Sequence, residues 1–295
     1  DPPPLNADTA ALLAMLAEVR RRADEFDMLH FHTDLLHLPV FESMADRTLT
    51  TLHSRLDIPD LAQAYARWPA YPLVSISDHQ RTHLPGANWC ATVHHGINPR
   101  GYRYSPKGSG DYLAFLGRIS PEKRPDRAIE IAKAAGVPLR IAAKVDDVDR
   151  VYFEQRIRPL LNHPLVSFVG EIGDERKSDF LGQARALLFP IDWPEPFGLV
   201  MIEAMACGTP VIAWRCGSVP EVVEPGRSGW IVDDIAQAVA AVHAVRQLPR
   251  SQVRAAFEER FTAQAMAAHY ARLYWQIERS GSCSHQQQHQ LGEAA

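Results

Sequence analysis

The amino-acid sequence predicts an α/β protein with two domains, each built on a parallel β-sheet that helices cover. Short apolar segments alternate with longer helical segments along most of the chain, which is the pattern of parallel strands joined by helical crossovers. The length of 295 residues favours two domains. A stretch rich in glycine and proline from about 96 to 111 interrupts the alternation and is the best candidate for the connection between them.

The N-terminal half begins with a helix and continues with short buried strands. From Thr9 to about Phe26 the apolar residues recur at helical spacing, and the arginines at 20–22 near the end are favoured by the helix dipole. Strands are then predicted at 28–32, 49–52, 73–76 and 91–93. Polar or proline-containing connections separate these strands, which supports a parallel sheet in this half.

The C-terminal half shows the alternation more clearly and predicts one doubly wound domain. Strands are predicted at 112–116, 139–145, 166–169, 186–189, 210–213 and 230–232, with helices at 125–135, 148–161, 174–185 and 199–206. Two or three further helices end near Ile277, and the Ser/Gln/His-rich tail from 280 to 295 is predicted to be disordered. In such sheets ligands bind beyond the carboxyl ends of the strands, so the residues after each strand are the candidates for function.

Composition excludes several classes of partner. With 46% hydrophobic and 22% charged residues and a formal net charge of −4, the chain reads as an ordinary globular protein without a basic field for nucleic acid. No apolar run approaches the ~20 residues of a membrane span, and no signal peptide is evident. The four cysteines form no CxxC pair and are read as reduced thiols in a cytoplasmic protein: Cys90, Cys207, Cys216 and Cys283.

The most informative segment runs from Pro194 to Ile212 and reads PEPFGLVMIEAMACGTPVI. Glu195 lies in a loop directly after a predicted strand, and a helix starts near Gly198, so unpaired backbone N–H groups there form an anion site. Glu203 lies further along the same helix and can face the same crevice. A solvated glutamate in a surface loop is the plain alternative. The specialised Pro-Glu-Pro-Phe-Gly loop and the sharp Cys-Gly-Thr-Pro stop favour a ligand site instead.

A second segment, FLGRISPEKRP from Phe115 to Pro125, follows the first strand of the C-terminal half. Gly117 permits a tight exit from the strand, and Arg118 and Lys123 can converge on one diphosphate. Cations are normally disfavoured near a helix N-terminus, so their presence indicates an anionic ligand. The dinucleotide fingerprint Gly-x-Gly-x-x-Gly is missing, which argues against a nicotinamide enzyme.

Weaker signals occur at other strand ends. Phe168–Gly173 ends in a glycine pair, with Lys177 beyond it, and His53 follows a strand in the N-terminal half. The histidines and the aspartate at 30, 32, 34 and 37 have no recognised zinc spacing, so they are read as cleft and packing residues and no metal site is predicted.

Taken together, these motifs resemble those of the retaining family-four glycosyltransferases, the glycosyl transferases group 1. The PEPFG segment is similar to their Glu-x7-Glu motif with its small-Gly-x-Pro-Val continuation, and FLGRISPEK to their Gly-Arg-x4-Lys signature. The resemblance covers about Phe26 to Ile277, with the motifs in the family's order. It implies the GT-B fold, with two Rossmann-like domains facing a cleft. The family's first strand, Gly-rich loop and helix have no counterpart, so the N-terminal domain is expected to be incomplete.

The resemblance also implies the domain limits and the roles of residues. The expected parts are an acceptor-side domain at 1–105, a nucleotide-sugar domain at 106–261, a helix at 262–279 returning towards the first domain, and the tail. Glu195 would contact the donor sugar and Glu203 the ribose hydroxyls, while Arg118 and Lys123 would hold the pyrophosphate. The remaining donor-site positions implied are Gly117, Ile172 and Lys177 around the base and ribose and the backbone at Phe197, Gly198 and Leu199.

In the N-terminal half, the resemblance implies that His53 approaches the donor sugar or phosphate, and that Ser77 and Asp78 contact the acceptor or the donor. The predicted function is a bacterial-type retaining glycosyltransferase, transferring a hexose-type sugar from a nucleoside-diphosphate sugar to a hydroxyl acceptor. The acceptor would be a sugar, a lipid-linked sugar or a small molecule, and no metal or other cofactor is expected. The alternatives are a nucleotide-sugar-binding module without turnover and a GT-B-like nucleotide-sugar epimerase.

Overall fold

The computed structural model of the chain describes residues 7–280 and is an α/β protein with two separate parallel sheets. The chain divides into two compact units. One comprises Asp1–His94 with Ala267–Ala295, and the other comprises His95–Met266. The divisions thus fall at 94/95 and 266/267, against 105/106 and 261/262 in the sequence prediction. Of the tail predicted at 280–295, Ser280 is the last residue of a helix, and 281–295 lie outside the described residues.

The N-terminal unit holds a four-stranded sheet in the order β1-β2-β3-β4, with every neighbouring pair parallel. Its strands are β1 (Leu29–Phe31), β2 (Thr48–Thr51), β3 (Leu73–Ser75) and β4 (Trp89–Thr92). Its helices are α1 (Ala7–Arg22), α2 (Leu61–Ala66) and α3 (Asp78–Arg81). Every residue of β2 and β3 is buried, which is expected for a parallel sheet covered on both faces.

The C-terminal unit holds a six-stranded parallel sheet in the order β10-β9-β8-β5-β6-β7. Its strands are β5 (Leu113–Arg118), β6 (Leu139–Lys144), β7 (Val166–Gly170), β8 (Ala186–Phe189), β9 (Val211–Trp214) and β10 (Gly229–Val232). Its helices are α4 (Pro125–Ala135), α5 (Arg150–Tyr152), α6 (Asp174–Gly182), α7 (Leu199–Ala206), α8 (Val219–Val222), α9 (Ile235–Ala244) and α10 (Arg250–Arg260). The last helix, α11, runs over Ala263–Ser280.

The strand order of this second sheet positions the candidate site. The chain runs outward from β5 through β6 to β7 and then returns to β8 on the other side of β5. The loops after β5 and β8 therefore leave the sheet at its topological switch point, where doubly wound sheets form their ligand crevice. The core beneath contains buried residues of β5 and β6, such as Phe115 and Ile141, packed with Ile129 of α4 and Val242 of α9.

Two predicted elements differ in the structure. The segment predicted as a helix at 148–161 is helical but irregular: a 3-10 turn at Asp147–Asp149 is followed by α5, a π-helical turn at Phe153–Ile157 and a 3-10 turn at Arg158–Leu161. Pro159 lacks an N–H and crowds the carbonyl four residues earlier, so a regular α-helix cannot continue there. The predicted connection at 96–111 belongs to the C-terminal unit, where Ser105 N–H donates to the carbonyl of Cys207 at 3.1 Å.

The cysteines and the helices bear on two further expectations. Cys207 is buried and Cys216 half-buried, and both are free thiols. Cys90 is disulfide-bonded, so the expectation of a reduced thiol is wrong at that residue. Cys283 lies outside the described residues. Across 7–280, no helix combines the length and apolarity that crossing a membrane requires.

Candidate functional site

Two loops of the C-terminal unit meet at the switch point of its sheet. The loop after β5 carries Glu122 and Lys123, and the loop after β8 carries Asp192 and Glu195. The backbone N–H of Asp192 donates to the carbonyl of Glu122 at 2.9 Å and ties the loops together. The two loops therefore form one structure, and the side chains they carry share one crevice.

Lys123 and Glu195 form an ion pair in this crevice. The ammonium of Lys123 contacts Oε2 of Glu195, and the two side chains are only 20% and 13% exposed. The indole N–H of Trp193 donates to the same oxygen at 2.9 Å, and the ammonium lies 4.9 Å from the centre of the Trp193 ring. Solvent screens a pair at this depth less than a surface pair, so its charges act strongly on a neighbouring ligand.

The Glu195 loop is supported from the turn after β9. Ser218 donates its N–H to the carbonyl of Glu195 at 3.1 Å and its hydroxyl to the carbonyl of Phe197 at 2.7 Å. Gly217 packs so closely that a Cβ there would lie 2.5 Å from both the N and the O of Glu195, and its φ of +55° itself favours glycine. The position of the Glu195 carboxylate is therefore fixed by its backbone as well as by its own contacts.

Helix α7 begins immediately after this loop with an open N-terminus. Its cap, Gly198, has a φ of +80°, and no side chain caps the first turn. A Cβ at Gly198 would approach Met201 and the Phe189 ring to within 2.8 and 2.9 Å, so a larger residue does not fit. The first amides of a helix have no partners within the helix and carry a partial positive charge. The start of α7 can therefore hold a negatively charged group.

A cavity of about 510 Å³ adjoins α7. It lies beyond the carboxyl ends of β5, β6 and β7, and its walls contain five of the predicted donor-binding residues: Gly117, Ile172, Lys177, Leu199 and Glu203. Cavities of roughly 300–1,000 Å³ hold small molecules and cofactors. Phe197 and Gly198 lie at the adjoining helix start rather than in the cavity wall.

Glu203 is the acidic group of the cavity. Its side chain is 12% exposed, and its Oε1 accepts the hydroxyl of Tyr102 at 2.7 Å and lies 3.6 Å from the ammonium of Lys177. Burial, followed by the hydrogen bond to Glu203, raises the pKa of Tyr102, so the phenol stays protonated and donates. Burial alone would lower the pKa of Lys177, but its contacts with Asp174 and Glu203 outweigh that effect and the pKa is raised.

Arg118 has a different set of partners from Lys123. Its guanidinium lies 3.0 Å from Glu122, 3.7 Å from Asp146 and 3.8 Å from Asp149, and its side chain is 47% exposed. Burial and then the charge of Glu122 raise the pKa of Asp149. Within the described residues, no ion pair joins Arg118 to Glu195, so its convergence with Lys123 on one diphosphate stays a prediction.

The N-terminal unit holds the other predicted residues. His53 Nε2 lies 2.7 Å from His32 Nδ1, and burial lowers the pKa of both imidazoles. Ser77 is fully buried, and its hydroxyl accepts the N–H of Gln80 at 3.1 Å as the cap of α3. Asp78 accepts the hydroxyl of Thr92. The roles of these three residues in acceptor or donor binding stay predictions.

The histidines and acidic residues of 7–280 form no metal-binding cluster. In that part of the chain, no group of three or more His, Cys, Asp or Glu side chains is placed to hold a metal ion. His30 instead bonds to the hydroxyls of Tyr274 and Thr51 at 2.7 and 2.8 Å, and His37 to the hydroxyl of Thr50 at 2.8 Å.

Two residues of the site were missed by sequence reasoning. Trp193 precedes Glu195 by two positions, which was the only signal for it, and Tyr102 lies in the stretch 96–111 that was predicted to connect the two domains. The hydrogen bond from Tyr102 to Glu203 joins segments that are distant in the sequence, and the bond from Trp193 to Glu195 depends on how the loop bends. No local sequence pattern predicts either bond.

The chain is similar to known proteins over much of its length. The model of the family described as glycosyl transferases group 1 matches residues 104–266. D-inositol 3-phosphate glycosyltransferase of Mycobacterium sp. (strain KMS) is 33% identical over 165 residues, which are 52% of this chain and 33% of that protein. The D-inositol 3-phosphate glycosyltransferase 2 of Catenulispora acidiphila is 35% identical over 147 residues, which are 44% of this chain and 34% of that protein. The match thus spans about a third of the length of these curated relatives.

Solved structures share the fold over most of the chain. HepE of Anabaena, in complex with UDP and glucose, has a TM-score of 0.75 at 20% identity, covering 93% of this chain and 84% of that one. AviGT4, a glycosyltransferase involved in avilamycin A biosynthesis, has a TM-score of 0.71 at 24% identity, covering 90% and 78%. At these identities the likeness shows the fold, and the GT-B type of α/β architecture predicted from the sequence is confirmed.

Proposed function

The chain belongs to the glycosyl transferases group 1 family, and on that basis we propose that it transfers a hexose-type sugar from a nucleoside-diphosphate sugar to a hydroxyl acceptor, with retention of anomeric configuration. The observation that carries the proposal is the arrangement around α7. A nucleoside-sized cavity containing Glu203 adjoins the open start of α7. Glu195 lies in the loop that leads into this helix and pairs with Lys123 of the loop after β5.

Each part of the donor has a matching group in this arrangement. The nucleoside occupies the cavity, where Glu203 accepts hydrogen bonds from the ribose hydroxyls. The diphosphate lies at the start of α7, where the helix amides and Lys123 offset its charge. The hexose then reaches Glu195, whose carboxylate accepts hydrogen bonds from the sugar hydroxyls. Arg118 supplies a further cation once it exchanges its carboxylate neighbours for phosphate.

The chemical step breaks the bond between the anomeric carbon and the diphosphate oxygen and forms a bond from the same carbon to the acceptor oxygen. Negative charge develops on the departing diphosphate, where Lys123 and the α7 amides are already in place. Preorganised donors of this kind lower a barrier substantially, since removing a single one from a hydrolase costs about 3–4 kcal/mol. The acceptor approaches on the face that the diphosphate leaves, and a diphosphate oxygen takes the acceptor proton. No protein nucleophile and no metal ion has a role in this proposal.

The first donors and acceptors to test follow from the relatives. HepE has been solved in complex with UDP-glucose, so uridine donors come first, followed by guanosine and adenosine donors. The names of the curated relatives make inositol phosphates and other polyol phosphates the first acceptors. The cytoplasmic location inferred from the sequence stays a prediction.

Product analysis tests the proposal. The wild-type protein is incubated with each sugar nucleotide, with and without acceptor, and the released diphosphate and the glycoside are followed by chromatography and NMR. We expect diphosphate release and a product with the donor's anomeric configuration, and Glu195→Gln, which keeps the shape but removes the charge, should reduce the rate by more than tenfold. Transfer by Glu195→Gln at the wild-type rate would remove Glu195 from the mechanism.

The same experiment separates the two alternatives. Binding of the nucleotide without any diphosphate release or transfer would favour a nucleotide-sugar-binding module. A change in the sugar configuration of the donor in the absence of acceptor would favour an epimerase.

A further inference from the structure

The two carboxylates of the site share an arrangement that the motif does not require. Each contacts the protein at one of its two oxygens, and in each case the partners are one aromatic hydrogen-bond donor and one lysine. For Glu195 the donors are Trp193 and Lys123, and both contact Oε2. The two oxygens of a free carboxylate are equivalent, so it is these contacts that make them different.

Glu203 repeats the arrangement with different residues. Its Oε1 accepts the hydroxyl of Tyr102 at 2.7 Å and faces the ammonium of Lys177 at 3.6 Å. Within residues 7–280, no protein donor contacts Oε1 of Glu195 or Oε2 of Glu203. Each glutamate thus keeps one oxygen as an acceptor for a ligand hydroxyl, while its orientation is fixed through the other.

We propose that Trp193 and Tyr102 are positioning residues that hold these carboxylates for two different parts of the donor. Trp193 fixes Glu195 so that its free oxygen receives a hydroxyl of the transferred sugar, and Tyr102 fixes Glu203 so that its free oxygen receives a ribose hydroxyl. This inference rests on the proposed function of the site. Lysine alone would not give the same result, because an ammonium is a point charge on a flexible stem and imposes little orientation.

The backbone around both residues is anchored independently of the two donor groups. The carbonyl of Tyr102 accepts from Arg254 at 3.4 Å, and the next N–H, from Arg103, donates to Ser178 at 2.7 Å. The carbonyl of Trp193 accepts the thiol of Cys216 at 2.9 Å. Replacing each aromatic residue by phenylalanine therefore removes the donor group while leaving a ring and an anchored backbone in place.

The test compares Tyr102→Phe with Trp193→Phe by titration calorimetry, each variant serving as the control for the other. UDP, GDP and ADP are first titrated into the wild type, and the tightest binder is then compared with its 2′,3′-dideoxy analogue and with its glucose derivative. Two ratios of dissociation constants are measured, one for the loss of the ribose hydroxyls and one for the addition of glucose. Ratios are used because they are insensitive to a general loss of active protein.

We expect Tyr102→Phe to reduce the preference for ribose over dideoxyribose by about tenfold, the effect of losing one charge-assisted hydrogen bond. It should leave the effect of glucose at the wild-type value. Trp193→Phe should do the opposite, and it should also reduce kcat for donor cleavage while the affinity for the nucleoside diphosphate is retained. The double variant Tyr102→Phe/Glu203→Gln should show the same ribose preference as Glu203→Gln alone, because both substitutions interrupt the same contact between Glu203 and the ribose.

The outcomes separate the inference from the proposed function. Unchanged ratios in both variants, with normal nucleotide binding by the wild type, would overturn the inference and leave the proposed function standing. Equal changes of both ratios in both variants would also overturn it, because a general structural defect predicts that result. Failure of the wild type to bind any of the three diphosphates would overturn both.

Discussion

At the scale of single residues, the site depends on a lysine that contacts both the protein and the proposed ligand. Replacing Lys123 by Met removes the cation while keeping most of the side-chain volume, and it leaves the half-buried Glu195 without its ionic partner. We expect nucleoside-diphosphate affinity to fall about 10- to 100-fold, in line with loss of a hydrogen bond to a charged group. Calorimetry measures the change, and the exposed Lys133→Met in α4 is the matched control. Equal affinity of wild type and Lys123→Met would contradict this role.

Gly217 allows a second prediction at this scale, because it contacts the backbone of Glu195. Gly217→Ala introduces a Cβ at 2.5 Å from the N and O of Glu195 at a φ of +55°, so the Glu195 loop must move. Gly226→Ala is the control, since its φ is +77° but nothing lies within 4 Å of the added Cβ. Both variants should lose about 1–2 kcal/mol from left-handed strain.

Only Gly217→Ala should also lose most of its donor cleavage. Unfolding in urea and a cleavage assay measure the two effects. If both variants retain full cleavage, the close contact between Gly217 and Glu195 has no bearing on activity.

The sequence predicted some of these residues and not others, for a physical reason. The family resemblance implied that Glu203, Lys177 and Ile172 surround the base and ribose, and one cavity contains all three side chains. The three acidic partners of Arg118 and the donors Trp193 and Tyr102 were not anticipated. Side-chain hydrogen bonds depend on tertiary placement of loops, and strand-end position does not specify them.

At the scale of secondary-structure elements, Arg250 at the start of α10 joins three segments of the C-terminal unit. It donates to the carbonyls of Ser105, Gly182 and Ala184 at 2.7, 2.7 and 2.9 Å, and burial lowers its pKa. Arg250→Met leaves these carbonyls without their donor, so we expect a loss of about 2–4 kcal/mol in the free energy of unfolding. The exposed Arg246→Met should change it by less than about 0.5 kcal/mol. Similar urea midpoints for the two variants would refute this role for Arg250.

The limits of helices and strands were predicted best where an apolar segment is bounded by residues that favour a helix end or a turn. Helix α4 begins at Pro125 and ends before Gly136, whose φ of +65° is the expected left-handed cap, and both ends were readable. The buried strand β8 was predicted at its observed limits. The helix predicted at 148–161 is present but irregular, because the apolar periodicity does not reveal the local effect of Pro159. The stretch 96–111 has linker composition, yet tertiary hydrogen bonds hold it against the C-terminal unit.

At the scale of the whole molecule, two histidines link stability to pH. Burial lowers the pKa of His30 and His37 from 6.5 to about 4, so both are neutral in the folded protein when the unfolded chain begins to take up protons. The two neutral imidazoles contribute fully to the free energy of unfolding above pH 6.5, and this contribution is lost as the pH falls towards 4. We therefore expect the free energy of unfolding to decrease over that interval.

Urea titrations across this interval measure the decrease. His37→Gln should reduce the pH dependence, whereas the exposed His243→Gln should leave it as in the wild type. A free energy of unfolding that stays constant across the interval would show that the two imidazoles are not coupled to folding.

The architecture of the whole chain was the most predictable level. A chain of alternating strands and helices forms parallel sheets, and few sheet topologies are possible for it because crossovers are right-handed and loops are short. The division into two units and the direction of every strand follow from that pattern. The acceptor was less predictable, since the motifs concentrate in the C-terminal unit and the family match covers 104–266.

The central proposal is that one nucleoside-diphosphate sugar occupies the α7 cavity and reaches the Lys123–Glu195 pair. Hydrogen–deuterium exchange with and without the tightest-binding sugar nucleotide tests it most directly. We expect slower amide exchange in 117–123, 171–177 and 197–203, and no change in the segments 106–111 and 245–250. The latter two line a second cavity of about 420 Å³ that contains Lys107, Arg185 and Arg246 and could attract any phosphate. Protection confined to that second cavity, with no change around α7, would contradict the proposal.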